Sequence, residues 1–335
     1  MSLKVVEDVS QLIAKTPLIK LHHLSETAGC QVYAKVEGFN PGNSAKDRTA
    51  LYIIEQAEQR GHLKKGDTII EATSGNMGFS IAMICNIKGY NCLLTVKDNV
   101  SKEKLSMLKA MNAKIILCPS NVDSSHPESY YNKAKSLSIE INDSYYLNQN
   151  YSIENSEAHY QSTGPEIWNQ TDGKITHFIC PASTCGTLVG CGRYLKEKNP
   201  EVKIIGVDGY GSILQEFHIE KSFDKNKIAV RKVEGLGKDI IGANYDRSII
   251  NEFIKVTDKD SALQARKLCK DEGLFAGHSS GSSCQALEQK KDQLSFLDFV
   301  VLLFPDHGSR YLSKIYNDSW MEEQGYIIKE SLEMA

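Results

Sequence analysis

An alternation narrows the possible folds of this chain more than any single residue does. Short apolar runs rich in β-branched residues, TIIEA, NCLLTV and AKIILC, are separated by stretches of helical period, MGFSIAMICNIKG and KEKLSMLKAMN. The runs suit buried parallel strands, and the stretches between them suit crossover helices that return the chain to the same edge. A second series follows: KITHFICPA, TLVGCGRYLKEK, VKIIGVDG, SALQARKLCKDEG, SSGSSCQALEQK and FVVLLF. The polar stretches PSNVDSSHPESYY and LNQNYSIENSE lie between the two series, so a lobe boundary is expected near residues 149 to 153. The predicted fold is α/β with two lobes, each a mostly parallel sheet flanked by helices. A length of 335 residues accommodates one or two such domains.

Charge and cysteine usage exclude several classes. Thirty-nine Lys plus Arg against 42 Asp plus Glu leave a formal charge of -3, without the basic excess that binding to a phosphate backbone exploits. No nucleic-acid partner is expected. The amino terminus lacks an uninterrupted apolar core, and no stretch approaches the ~20 apolar residues of a bilayer crossing. No membrane association and a cytoplasmic location are therefore expected. The nine cysteines are an odd number, sit mostly in apolar runs and form no C-x-x-C pair, so they read as reduced core residues. Cys180, Cys185 and Cys191 match no zinc spacing and have no histidine among them, so no metal is expected.

Four loops that each enter a helix could carry chemistry. In NPGNSAKDRTALYIIEQ, Pro41 and Gly42 break the chain, and Ser44 with Asp47 can cap a helix beginning near Ala45. Lys46 then lies in the first turn, where the helix dipole disfavours a cation and lowers the lysine pKa. A solvated lysine reaching away from the helix end is the other reading. In EATSGNMG, Thr73, Ser74 and Asn76 surround a helix start near Met77 and suit an anion, or they simply cap the helix. In PASTCGTLVG, Ser183, Thr184, Gly186 and Thr187 suit a phosphate dianion, while the absence of G-x-x-x-x-G-K-[ST] disfavours an NTPase loop. GYGSIL is an incomplete dinucleotide fingerprint. In FAGHSSGSSCQAL, serines enter a helix at about Ser279 and can cap it or bond a heterocyclic nitrogen. His278 and His307, the histidines nearest these loops, read as structural rather than catalytic.

In combination and in this order, the loops resemble those of the cysteine synthase and cystathionine β-synthase family, the fold-type II (tryptophan synthase β-like) pyridoxal phosphate enzymes. NPGNSAKDR is similar to that family's N-P-x-x-S-x-K-D-R, EATSGNMG to E-x-T-S-G-N-x-G, and FAGHSSGSS to A-G-x-S-x-G. The match runs from TPLIKL at residue 16 to PDHGSRYLS near residue 313. The resemblance implies a smaller lobe over 44–150, with 1–43 and 151–335 forming a larger lobe that carries the phosphate loop. It implies pyridoxal 5'-phosphate held by Lys46 as a Schiff base, with Asn76 at the pyridine 3-oxygen. Ser183, Thr184, Cys185, Gly186 and Thr187 would bind the phosphate, and Ser279 would face the ring nitrogen. Thr73, Ser74, Gly75, Met77 and Gln149 would surround the substrate α-carboxylate, and Gly235 in VEGLGKD matches the glycine loop beside the site.

The implied reaction is β-replacement on an O-activated L-serine, O-phospho-L-serine or O-acetyl-L-serine, through an aminoacrylate, with a thiol, sulfide or amine adding at Cβ. Small amino-acid substrates and a homodimer follow from the same resemblance. Two departures point to a branch: the usual G-T-G-G-T is Ser183-Thr184-Cys185-Gly186-Thr187, and the usual T-S-G-N-T ends in Met77. With RYLSKIYNDSW, these resemble the enzymes that make N-(2-amino-2-carboxyethyl)-L-glutamate from O-phosphoserine and glutamate for siderophores, although Asn150 stands where an aromatic is usual. A cystathionine β-synthase-like catalytic core is an alternative, without the haem-binding and regulatory extensions of the human type. A non-catalytic binding protein that keeps this fold is another.

Overall fold

The computed structural model describes residues 5–73 and 75–327. Its strands are β1 (Leu18–Lys20), β2 (Gln31–Val36), β3 (Thr68–Ala72), β4 (Asn91–Lys97), β5 (Lys114–Cys118), β6 (Ser144–Tyr146), β7 (His177–Pro181), β8 (Lys203–Gly209), β9 (Glu252–Val256) and β10 (Phe299–Phe304). The helices are α1 (His22–Ala28), α2 (Lys46–Gln59), α3 (Asn76–Lys88), α4 (Lys102–Ala110), α5 (Tyr130–Glu140), α6 (Glu154–Gln161), α7 (Thr163–Gln170), α8 (Gly186–Lys198), α9 (Leu214–Glu220), α10 (Asp258–Asp271), α11 (His278–Lys290) and α12 (Asp318–Glu323). Among the described residues no helix is long and apolar enough to cross a membrane.

The strands form two sheets. One has the order β5-β4-β3-β6 and is parallel throughout; the other has the order β1-β2-β10-β7-β8-β9 and is parallel except where β1 pairs with β2. The antiparallel edge strand, at TPLIKL, carries no alternation that marks it as a strand in the sequence. The four-stranded sheet uses only consecutive chain, whereas the six-stranded one places β2 beside β10 in a register from Phe299↔Gln31 to Phe304↔Val36. Every residue of β10 is buried. Val300, Leu302 and Phe304 enter one core, while Phe299, Val301 and Leu303 enter the core on the opposite face. That two-residue period explains why FVVLLF is an unbroken apolar run, since both faces of a covered sheet require one.

Arg48 in α2 joins the helix to the six-stranded layer. Its guanidinium bonds Glu37 Oε2 and Glu166 Oε1, each at 2.7 Å, and Lys35 Nζ bonds Glu166 Oε2 at 2.7 Å. Burial would raise the Glu166 pKa, but Arg48 and Lys35 hold it down to about 2. Near the site, α8 crosses close to α6, because a Cβ on Gly190 would lie 2.1 Å from Ser156 O. The cysteines are free thiols, buried at every position but Cys269, as their apolar surroundings in the sequence suggest.

Candidate active site

The four loops gather at the carboxyl ends of the parallel strands, where α/β sheets bind ligands. The first is tied to the chain just after β10. Ser44 forms an antiparallel bridge with Asp306, and Ala45 N–H bonds Pro305 O at 2.9 Å. Ser44 Oγ accepts from Lys46 N–H at 3.3 Å, but the serine stands one residue ahead of the N-cap, Ala45, which makes no side-chain capping bond. Asp47 does not complete a cap either. Its carboxylate accepts from Gly42 N–H and from the Ser80 hydroxyl, each at 2.5 Å, and burial pushes its pKa up to about 6. Only glycine fits at 42, where a Cβ would lie 2.2 Å from Asp47 Oδ1.

Lys46 opens α2, and its pKa is pushed down to about 8. Burial is the main cause, and repulsion from Lys238 adds to it, against weaker opposing effects of Cys180 and Glu71. The depression expected from the helix dipole is therefore produced chiefly by desolvation.

The second loop leads into α3 at Asn76, one residue before the expected start. Thr73 Oγ1 accepts from Gly75 N–H at 3.3 Å. Ser74 lies outside the described residues. Asn76 Nδ2 donates to Asp306 Oδ2 at 2.7 Å, which leaves its second amide proton and its oxygen for a ligand. The Met77 side chain, 2% exposed, packs in the core between α3 and its sheet, so what it can offer a substrate is its main-chain N–H. Gln149 is held by Glu71, which accepts from its side-chain amide at 3.2 Å and from its main-chain N–H at 3.3 Å. Burial pushes the Glu71 pKa up to about 7, against these same hydrogen bonds.

The third loop starts α8. Cys185 is its N-cap at φ +66°, and the side chain packs in the core rather than toward a ligand. Asn155 Nδ2 bonds both Thr184 Oγ1 (3.0 Å) and Gln149 O (2.9 Å), joining this loop to the substrate side. A Cβ on Gly186 would lie 2.2 Å from Asn155 Oδ1. Thr187 Oγ1 lies 3.1 Å from His159 Nε2, whose ring also meets Thr49 and Thr163 hydroxyls. Burial, with Lys46 and Arg48 beside it, keeps His159 well below its usual pKa and hence neutral.

The fourth loop enters α11 at His278, with Ser279 buried in its first turn. Gly277 N–H bonds Asp306 O at 2.9 Å, and a Cβ at 277 would collide with Asp306 Oδ1. His278 contacts Asp258 O at 3.2 Å, and burial lowers its pKa to about 4, consistent with a structural role. Gly235 is exposed at φ +75°, and its loop is fixed by Gly237 N–H to Ala182 O at 2.7 Å. Asp306, Glu71, Asn155, His159 and Lys238 complete this arrangement, and none was singled out from the sequence. Three of them stand inside quoted motifs, PDHGSRYLS, EATSGNMG and VEGLGKD, but their partners are distant in the chain.

Residues 9–306 match the model of a family described as pyridoxal-phosphate dependent enzyme. The chain belongs to that family. It is 40% identical over 326 residues to a cystathionine β-synthase of Apis mellifera, covering 97% of this chain and 64% of that protein. It is 34% identical over 330 residues to a cysteine synthase of Dictyostelium discoideum, covering 96% and 87%. The chain thus spans less than two thirds of the honeybee protein's length. An O-acetylserine dependent cystathionine β-synthase from Helicobacter pylori has a similar structure, with TM-score 0.85, 31% identity, and 94% and 100% of the two chains covered. A hydrogen sulfide-producing enzyme from Fusobacterium nucleatum superposes with TM-score 0.83 and 33% identity, over 92% of this chain and 98% of that one.

As a pyridoxal-phosphate dependent enzyme of fold type II, the chain must hold an aldehyde, a phosphate and an aromatic ring, and its residues fit all three. Lys46 is a depressed-pKa amine at a helix start. The first turn of α8 has main-chain N–H groups with no intrahelical acceptor, next to threonine hydroxyls at 184 and 187. Asn76 and Ser279 belong to the helix starts tied together through Asp306.

Proposed function

We propose that this enzyme catalyses β-replacement on an O-activated L-serine, O-phospho-L-serine or O-acetyl-L-serine, with a thiol, sulfide or amine as the incoming nucleophile. One observation carries the proposal: Lys46, buried at the start of α2 with its pKa pushed down to about 8, feels the charge of Glu71, which holds Gln149, and acts on His159 of α6, whose ring joins Thr49 of α2 to Thr187 in the first turn of α8. The cofactor, when bound, supplies an electron sink for negative charge at the substrate Cα. Lys46 moves the Cα proton. At pH 7.5 a pKa near 8 leaves about one amine in four neutral, against about one in a thousand for an ordinary lysine. Thr73, Gln149 and the first-turn N–H groups of α3 hold the substrate α-carboxylate. Ser279 offers a hydroxyl where a carboxylate would stabilise a full charge on the ring nitrogen, so stabilisation at Cα is weaker and a good leaving group on Cβ is favoured. The names of the similar proteins, cysteine synthase and O-acetylserine dependent cystathionine β-synthase, support this class of reaction.

A second reading, N-(2-amino-2-carboxyethyl)-L-glutamate synthesis from O-phosphoserine and glutamate for a siderophore, is supported by the Ser183-Thr184-Cys185-Gly186 loop and by Lys238, whose charge is felt at Lys46. A cystathionine β-synthase-like core using homocysteine stands beside it. Two experiments test the whole. Borohydride reduction and peptide mapping are expected to leave the cofactor on Lys46, and a label elsewhere overturns the assignment. O-acetylserine and O-phosphoserine, each paired with sulfide, homocysteine, cysteine and glutamate, are expected to give a coupled product by mass spectrometry. No product from any pairing points instead to a non-catalytic binding protein.

A further inference from the structure

Lys238 has no role among the residues assigned above to the cofactor or the substrate α-carboxylate, yet Gly237 N–H ties its loop to Ala182 O at 2.7 Å, next to the 183–187 loop, and its charge is felt at Lys46. Its main chain is fixed on both sides: Lys238 N–H bonds Ser212 Oγ at 2.9 Å and Lys238 O accepts from Ile213 N–H at 3.0 Å. Gly235 and Gly237, both at φ +75°, set the path of the loop that presents it. The ammonium donates to the Tyr131 hydroxyl at 3.2 Å, across from the large sheet to the head of α5, and stands 5.6 Å from that ring's centre.

Among the described residues no carboxylate pairs with this ammonium, because those around it are engaged elsewhere. Asp239 pairs with Arg231, Glu234 with Lys104 and Lys314, and Glu71 with Gln149. Burial disfavours ionisation of the Tyr131 phenol, but Lys238, Tyr130 and Lys97 outweigh it and leave its pKa below the ordinary value. Lys97 lies 5.2 Å from the neighbouring Tyr130 ring. A fixed, partly buried cation with only a phenol for a partner, near the reacting lysine, is arranged for an anion that the protein does not supply.

We propose that the Lys238 ammonium, together with the Tyr131 hydroxyl, is the receptor for a second anionic group on a reactant, either a phosphate leaving group or the carboxylate of the incoming nucleophile. This rests on the β-replacement reading and deepens it by naming a substrate class. It is separate from the α-carboxylate cradle proposed above on Thr73, Gln149 and the first turn of α3.

The test compares the wild-type holoenzyme with Lys238→Met, Lys238→Arg and Tyr131→Phe. Stopped-flow absorbance follows the first half-reaction with O-phospho-L-serine and with O-acetyl-L-serine. The second half-reaction is followed with 3-mercaptopropionate and with 2-mercaptoethanol, thiols that differ in the carboxylate. Calorimetry measures inorganic phosphate and glutarate binding to each holoenzyme without turnover. Lys238→Met is expected to lose about tenfold or more with the anionic member of at least one pair, while the neutral member stays within about twofold. Lys238→Arg is expected to restore the preference, and Tyr131→Phe to weaken it less. The pair that responds identifies the source of the anion. Equal losses for anionic and neutral partners would reduce Lys238 to a contact between the two layers, and indifference in every arm would also overturn the proposal. Should the wild type react with no activated serine, the β-replacement reading fails on its own, and calorimetry still decides whether Lys238 binds anions.

Discussion

Asn76 and Asp306 lie 230 residues apart and meet in a 2.7 Å hydrogen bond. Asp306 also accepts from the Tyr311 hydroxyl at 2.8 Å, and its main chain bonds Gly277 and bridges Ser44. Through its carboxylate at Asn76 and its main chain at Gly277 and Ser44, this one residue ties three of the four helix starts into a common frame. Asp306→Ala leaves a buried hydroxyl without its acceptor and frees the Asn76 amide. A loss of about 2–4 kcal/mol in stability is expected, with weaker cofactor retention. An unchanged denaturation midpoint and unchanged cofactor affinity would show that the frame does not depend on it.

Lys46 makes a pH-dependent contribution whose sign is fixed. Its folded pKa, about 8, lies below its ordinary 10.5, so between these values the unfolded chain binds the additional proton. Holding the ammonium in the fold costs stability in full below pH 8, and the cost fades as pH rises toward 10.5. Lys46→Met is therefore expected to be more stable than wild-type apoprotein at pH 7, by up to about 3 kcal/mol, and to lose that advantage near pH 10. Its turnover is expected to vanish. Parallel melting curves at the two pH values, or near-wild-type turnover, would contradict this.

Glu71 works in the opposite direction. Its pKa is raised from 4.5 to about 7, so the folded state binds the additional proton between those values, and stability falls as pH rises through that window. Glu71→Gln is expected to flatten the stability profile between pH 5 and 7. Because Glu71 positions Gln149, the same variant is expected to raise KM for the amino-acid substrate more than it lowers kcat. A profile as steep as the wild type's would assign the dependence to another group.

Gly186→Ala places a methyl group 2.2 Å from Asn155 Oδ1, where no rotation of the new group relieves the contact. Asn155 must then move, loosening its bonds to Thr184 and Gln149 together. Overpacking of this kind costs about 1–3 kcal/mol. Cofactor affinity is expected to fall about tenfold or more, measured by equilibrium dialysis. Wild-type affinity would mean that the α8 loop does not hold the phosphate.

Much of this was legible locally. The helices expected near Ala45, Met77 and Ser279 begin at Lys46, Asn76 and His278, because glycine breaks and helical period are properties of adjacent residues. What was not legible depends on distant partners. Asp47 reads as half of a cap, yet Gly42 and Ser80 take its carboxylate. Met77 and Cys185 read as ligand contacts because their neighbours are, while their side chains complete cores. Lys238 stands inside VEGLGKD, but only the placement of Tyr131 opposite it gives it a role.

The pairing of β2 with β10 also bears on how the molecule is made. A ribosome releasing the chain delivers every strand of the four-stranded layer well before residue 299, so that layer can order early. The larger sheet must wait for its central strand, and Lys46 for the Asp306 segment that anchors its helix. Any truncation ahead of Phe304 is therefore expected to yield material unable to retain the coenzyme, however well its first half folds.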